Sequence, residues 1–416
     1  SCDHSLQVER GNTAYLSGLR EKFFGELFLN ASKSLDSSAE SGLSTFITTG
    51  AQYGSSCFLE MNEAVPHGAG NTPSPVNTFP GNLRTSRVVY EEGLNHIARF
   101  VESFESQSKE IWLVFRNEGL SLSKLIYTVE ERKLFSSNEG TQEMTNVLVL
   151  HPSPWWHWLR KTEAGKKEMR NLIWQLLLAL KSCHERNITH RDIKPENMIV
   201  CLEDVDTGKC SRSIPIGENR YHLKMRIIDF GSAIDEFTIK YLYGSGPSRS
   251  EQTFEYMPPE ALLNISWFQG PKGITLKYDM WSVGVVFMEL ILGSPHVFQI
   301  SDRTRALLDQ HLEGWGDNMK ELAYKLRSLM EMCILIPGIS PQHHQSRVKG
   351  HGSFWPASWK CTEEFFAHQV KNRDPLKLGF PNIWALRLVR QLLVWHPEDR
   401  LSVDDALQHP YFQLDM

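Results

Sequence analysis

The run NITHRDIKPENMIV sets His190, Arg191, Asp192, Lys194 and Asn197 within eight residues of one another. A carboxylate accepts a proton, an ammonium two positions on faces an anion, and an amide supplies a neutral oxygen to a hard cation. His190 reads as a packed, hydrogen-bonded ring rather than a proton carrier. A second carboxylate, Asp229 in RIIDFGSA, ends an apolar run and is followed two residues later by Gly231. Thirty-six residues lie between Asp192 and Asp229, so the elements around them decide whether the two ever meet.

Those elements are legible from periodicity. Residues 166–184 keep Met169, Leu172, Ile173, Leu176, Leu177 and Leu180 at i, i+3, i+4 and i+7, which predicts a helix lying on a core and leading into the Asp192 loop. Residues 281–292 are apolar on nearly every face, the pattern of a helix buried all round. Residues 14–31 place Leu16, Leu19, Phe23, Leu27 and Asn30 at helical spacing, flanked by Phe24 and Phe28. IARFVESF (97–104) and IWLVF (111–115) read as a hairpin turning around Ser106 to Lys109. Beyond Gly119 the chain reads as mostly helical. Stretches 201–222 and 338–360, rich in Gly, Pro, Ser and His without apolar period, read as inserted loops. Between Ser32 and Asn82 the composition shifts, and 13 of the 17 residues in PHGAGNTPSPVNTFPGN are Gly, Pro, Ser, Thr or Asn, which predicts a mobile surface insertion at about 32–90.

The five spaced positions of HRDIKPEN resemble the eukaryotic protein kinase family, a match that chance supplies in on the order of one chain in 10⁴ of this length. The resemblance implies a two-lobed α+β fold: a small β-containing lobe over 1–118, incomplete here, and a larger, mainly helical lobe over 119–412. It also implies ATP and Mg²⁺ as cofactors and a protein substrate with a serine or threonine acceptor, because the Lys after the Asp resembles the serine/threonine branch. On this reading Asp192 is the catalytic base, Lys194 sits against the transferring phosphate, and Asn197 and Asp229, with Gly231 in a DFG-like triplet, hold the metal. TFEYMPPEALL resembles the end of an activation segment, with Thr253 in the substrate loop and Glu260 pairing with Arg400 of WHPEDRLSVDDALQHPYF; Asp279 of YDMWSVG resembles the cap of the central helix. EIWLVFRNEG resembles the strand into the hinge, making Phe115 the gatekeeper, the backbone from Arg116 to Glu118 the adenine edge and Ile199 the adenine floor. A phosphate on Ser245, Ser248 or Ser250 would pair with Arg191 and order the segment.

The small lobe departs from the family. A glycine-rich strand-turn-strand and the lysine of the third strand are both missing; the one GxG before the hinge, Gly68-Ala69-Gly70, runs into NTPSP. If the 14–31 helix is the regulatory one, Glu26 is the first choice for its pairing acid, with Glu21 and Glu91 as rivals, although Lys22 stands four residues before Glu26 and pairs with it equally well on the surface. The competing reading is a pseudokinase-like scaffold or a truncated, inactive isoform that binds protein partners.

Composition narrows the remaining classes. With 416 residues, 41% apolar content and a net charge of −5, the chain has enough apolar mass for a sizeable core and no global basic field to draw it to nucleic acid. LIWQLLLAL and VGVVFMELIL fall short of the ~18–20 residues of a membrane span. Seven cysteines, an odd number without a CxxC pair, suggest neither a zinc cage nor a complete disulfide framework, so a reducing, cytoplasmic location is the default.

Overall fold

A computed structural model describes residues 2–40, 92–106, 110–138, 141–204, 209–211, 221–244, 246–335 and 362–413. Most of the insertion expected at 32–90, and the 338–360 loop, lie outside the described residues.

The first helix, α1 (Cys2–Glu40), is longer at both ends than the apolar stripe predicts. Past residue 31 local bonds extend it: the hydroxyls of Ser32 and Ser34 donate to the carbonyls of Phe28 and Asn30 one turn back. Its deepest face is Arg20, Phe24 and Phe28, with Phe23 and Leu27 to one side. Gly25 lets α1 approach the sheet, since a Cβ there would stand 2.7 Å from the Phe100 ring. Strands β1 (Phe100–Glu105) and β2 (Ile111–Phe115) form the expected antiparallel hairpin. The backbone of Ala98 and Ile227 joins this small lobe to the larger one.

After β3 (Leu120–Ser121) and the short helix α2 (Leu122–Ile126) the chain departs from the helical expectation. Strands β4 (Tyr127–Asn138) and β5 (Thr141–Pro152) pair along their whole length as one long antiparallel hairpin. The sequence hides it because Val129, Leu148 and Leu150, among its described side chains, are exposed and mark no one-sided apolar face. At its base Tyr127 donates 2.7 Å to Glu289, which also accepts from Tyr256 at 2.6 Å. Burial pushes this carboxyl up to about 7, against the pull of the two hydroxyls.

The large lobe is built on α3 (Pro154–Lys161), α4 (Glu163–His184) and the central helix α8 (Lys277–Leu292), which has between it and α4 the short helices α5 (Glu236–Tyr241), α6 (Pro259–Leu263) and α7 (Lys272–Thr275). α3 begins on Ser153, whose hydroxyl accepts from the Trp156 amide with Pro154 in the first turn, and α4 begins on Thr162, which accepts from Gly165. Residues 278–292 are buried throughout, which includes the 281–292 run whose uniform apolarity predicts it. Beyond α8 come α9 (Asp302–His311), α10 (Asp317–Glu331), α11 (Glu363–Arg373), α12 (Ile383–Leu392) and α13 (Val403–Leu407).

The 201–222 stretch is only partly loop. β6 (Met198–Asp204) pairs with β8 (Tyr221–Ile227) and, at its far end, with the two-residue β7 (Cys210–Ser211). The strand register brings Cys201 and Cys210 together as a disulfide, and Cys333 is disulfide-bonded as well, pairings that the cysteine spacing did not suggest. Strand register, invisible in spacing, decides that pairing. Among the described residues no helix is long and apolar enough to cross a membrane.

Candidate active site

The catalytic loop is strapped to α8 by one buried carboxylate. Asp279 accepts from the amides of His190 and Arg191, both at 2.9 Å, and meets His184 Nε2 at 3.0 Å. Arg191 takes φ +69°, a left-handed turn that those bonds hold in place. His190 is fully buried, packs on Phe230 and has its ring Nε2 3.1 Å from the Ile228 carbonyl, so it is a packed histidine. Within the loop every group has a partner. Thr253 donates 2.8 Å to Asp192 Oδ1, Lys194 lies 2.7 Å from Asp192 Oδ2 and donates 2.8 Å to Thr253, and Asn197 Nδ2 donates 2.8 Å to Asp192 Oδ2. Two distant segments are thereby brought onto one carboxylate.

The β6–β8 hairpin settles the question of the 36-residue separation. β6 and β8 pair directly, and the Ile228 amide donates 2.9 Å to the Asn197 carbonyl, so Asn197 and Asp229 are backbone neighbours. Asp229 has φ +68° and accepts from the Gly231 amide, while Phe230 inserts between His190 and the α1 rings of Phe24 and Phe28. With its amide nitrogen committed to Asp192, Asn197 keeps an oxygen free; together with the Asp229 carboxylate this is a hard-oxygen donor set suited to Mg²⁺.

A cavity of about 560 Å³ opens beside Asp229. Phe115, Glu118 and Ile199 line it together with Arg226, Glu21 and Asp229. Gly119, at φ +135°, closes the hinge against the Val200 carbonyl, which a Cβ would meet at 2.2 Å. Helix α1 brings Glu21 to this cavity. Burial and the neighbouring Asp229 carboxylate push Glu21 up to about 8. Glu26, the sequence's first choice on this helix, stands instead on the exposed side, 4.0 Å from Lys22. Glu91 lies outside the described residues.

Sequence reasoning missed Arg20 and Glu251. Arg20 is 1% exposed; it donates to the Gly231 carbonyl at 2.6 Å and to Glu251 at 2.7 Å, and covers the Tyr243 ring. Arg191, also 1% exposed, gives its guanidinium to Ser232 O, Tyr243 Oη and Ser248 O and lies 3.9 Å from Glu251. The carboxylate of Glu251 thus already stands between the two guanidiniums, where the sequence suggested a serine phosphate. A signal existed: Arg20, Phe24 and Phe28 share one helical face, and a charge on an apolar stripe asks for a buried partner. At the far end of the segment Arg400 brackets Glu260 with bonds of 2.9 and 3.1 Å.

A family model described as a protein kinase domain matches residues 89–412. The chain belongs to the protein kinase family. This kinase chain is 59% identical over 407 residues to a probable inactive protein kinase of Arabidopsis thaliana, with 98% of each chain covered. It is 26% identical over 254 residues to the DNA damage response protein kinase DUN1 of Saccharomyces cerevisiae, across 61% of this chain and 36% of that one. Among solved structures it is similar to a chain of the yeast RNA Pol II CTD kinase CTDK-1 complex, with a TM-score of 0.44, 17% identity and coverage of 80% and 81%. The kinase fold is two-lobed, with α1 and the β1–β2 hairpin in the small lobe and the helices from α3 onward in the large one.

Proposed function

We propose that this chain transfers the terminal phosphoryl group of ATP to a serine or threonine hydroxyl of a protein substrate, with Mg²⁺ bound. The observation that supports it is the closed network of Asp192, Lys194, Asn197 and Thr253. Asp192 receives the hydroxyl proton as the hydroxyl oxygen bonds to phosphorus and the bond to the ADP oxygen breaks. Lys194 holds a positive charge beside the transferred group, and Thr253 fixes the orientation of the carboxylate. Asn197 and Asp229 would hold Mg²⁺, which when bound offsets phosphate charge. Phe115, Ile199 and the backbone of Arg116 to Glu118 would receive the adenine.

A second reading, a kinase-fold scaffold that binds partners, is favoured by a specific observation: none of the described residues lining the cavity is a lysine, and Glu21 meets an acid instead of a cation. The name of the 59% relative points the same way. Losing the lysine and a glycine-rich cover removes at least two charge-assisted contacts of roughly 1.5–3 kcal/mol each, a loss of about 10²–10⁴ in affinity. Calorimetric MgATP titration with phosphate incorporation decides between the two. We expect weak MgATP binding and slow incorporation that Asp192→Asn removes; a folded chain that incorporates nothing at saturating MgATP supports the scaffold.

A further inference from the structure

Three carbonyls of the loop that follows Thr253 converge on one ammonium. Lys325 of α10 is 4% exposed, turned inward with Ser328 and Leu329, and its Nζ donates to the carbonyls of Phe254, Glu255 at 3.3 Å and Met257 at 3.1 Å. The intervening carbonyl, that of Tyr256, accepts from the Ser282 hydroxyl of α8 at 3.1 Å. Residues 254–257 thus give every carbonyl to a side chain of α8 or α10. The loop supplies little of this itself: its amides make two turn bonds, Tyr256 to the Thr253 carbonyl at 3.1 Å and Met257 to that of Phe254 at 3.4 Å, and Pro258 and Pro259 bring no amide. Buried carbonyls left unmet cost free energy, and a lysine ammonium is the side chain whose three donors splay from one nitrogen. Its charge is also met by the faces of Phe254 and Phe298, whose ring centres lie 4.6 and 5.8 Å from that nitrogen. Burial draws Lys325 down to about 7, opposed by the Glu255 carboxylate, so at pH 6 it carries all three donors.

We propose that Lys325 is a positioning residue for the acceptor site: by holding the backbone of residues 254–257 it fixes the turn that starts at Thr253, and with it the hydroxyl that Thr253 donates to Asp192 Oδ1 at 2.8 Å. Its part in phosphate transfer rests on the phosphotransfer reading; its hold on the loop does not. Lys325 does not line the cavity beside Asp229, so its removal should loosen the acceptor side and leave the nucleotide side alone.

The test follows amide hydrogen exchange of the full chain at pH 6 in three forms: native, Lys325→Met, which keeps the length of the side chain and removes every donor, and Lys325→Arg, which keeps the charge in a planar fork. We expect the Tyr256 and Met257 amides to exchange at least about tenfold faster in Lys325→Met, the yield of one charge-assisted hydrogen bond, and about threefold faster in Lys325→Arg, while the amides of α8 keep their native rates. Phosphate incorporation into a degenerate serine/threonine peptide library should fall at least about tenfold in Lys325→Met with the KM for MgATP unchanged, a split that a general loss of fold does not give. If the native chain incorporates nothing, the phosphotransfer reading fails, and exchange still decides the hold on the loop. If Lys325→Met does not fold, Lys325→Arg decides. Unchanged exchange at Tyr256 and Met257, exchange that rises equally over α8, or a KM for MgATP that rises in step with the loss of incorporation would each overturn the proposal.

Discussion

The catalytic loop and the cleft face of α1 lie on either side of Asp229 and treat charge in opposite ways. In the loop each charged group is matched: Asp192 has three donors around it, Asp279 three more, and Arg400 closes on Glu260. On α1, Arg20 is matched by Glu251, but one residue later Glu21 meets another acid. On the proposed function, the residues that would position a hydroxyl are fully partnered, while among the described residues the α1 face of the cleft offers an acid where a cation would anchor phosphates. Buried charge is tolerated where a partner is supplied and is neutralised by a proton where it is not.

Breaking the matched side should give the largest effect. Asp192→Asn removes the proton acceptor without removing bulk, so phosphate incorporation should fall by at least about 10²-fold while circular dichroism stays native. Unchanged turnover in that variant would withdraw Asp192 from its role. Next comes Glu251→Gln, which leaves two buried guanidiniums without a counter-charge; we expect a loss of about 3–5 kcal/mol in denaturant unfolding and faster amide exchange over residues 246–253. A full-stability variant would mean the latch between α1 and the catalytic loop is not energetic.

Glu21→Gln probes the unmatched side through pH. A carboxyl raised from 4.5 to about 8 keeps its proton in the folded chain after the unfolded chain has lost it. Stability contributed by this group is present below about pH 4.5 and declines as pH rises toward 8, by a few kcal/mol in all. Urea midpoints between pH 5 and 8 should show that decline in the native chain and a flatter profile in Glu21→Gln; parallel profiles would show that Glu21 ionises freely. The smallest effect belongs to Glu26→Ala, which loses only an exposed pair with Lys22 and should move stability by no more than about 0.5 kcal/mol. A larger loss there than at Glu21 would reverse the assignment of the two acids.

The sequence by itself determined the loop chemistry and the central helix. His190 to Asn197 sit so close along the chain that one loop carries them all, and uniform apolarity over 281–292 leaves that helix nowhere to lie except inside. It also disclosed the absent lysine and glycine-rich loop. Tertiary structure decided which acid of α1 faces the cleft, because Glu21 and Glu26 sit on opposite sides of one helix and only packing of Phe24 and Phe28 on Phe230 sets its rotation. It also decided the contact of Arg20 with Glu251, 231 residues apart, and the joining of Cys201 to Cys210 through strand register. The β4–β5 hairpin escaped notice since its two strands pair through the backbone, and backbone pairing leaves no mark on side-chain pattern. Local spacing records what neighbouring residues do within one element, whereas a contact between elements is set by how their faces pack, and neither face carries that partner in its own sequence.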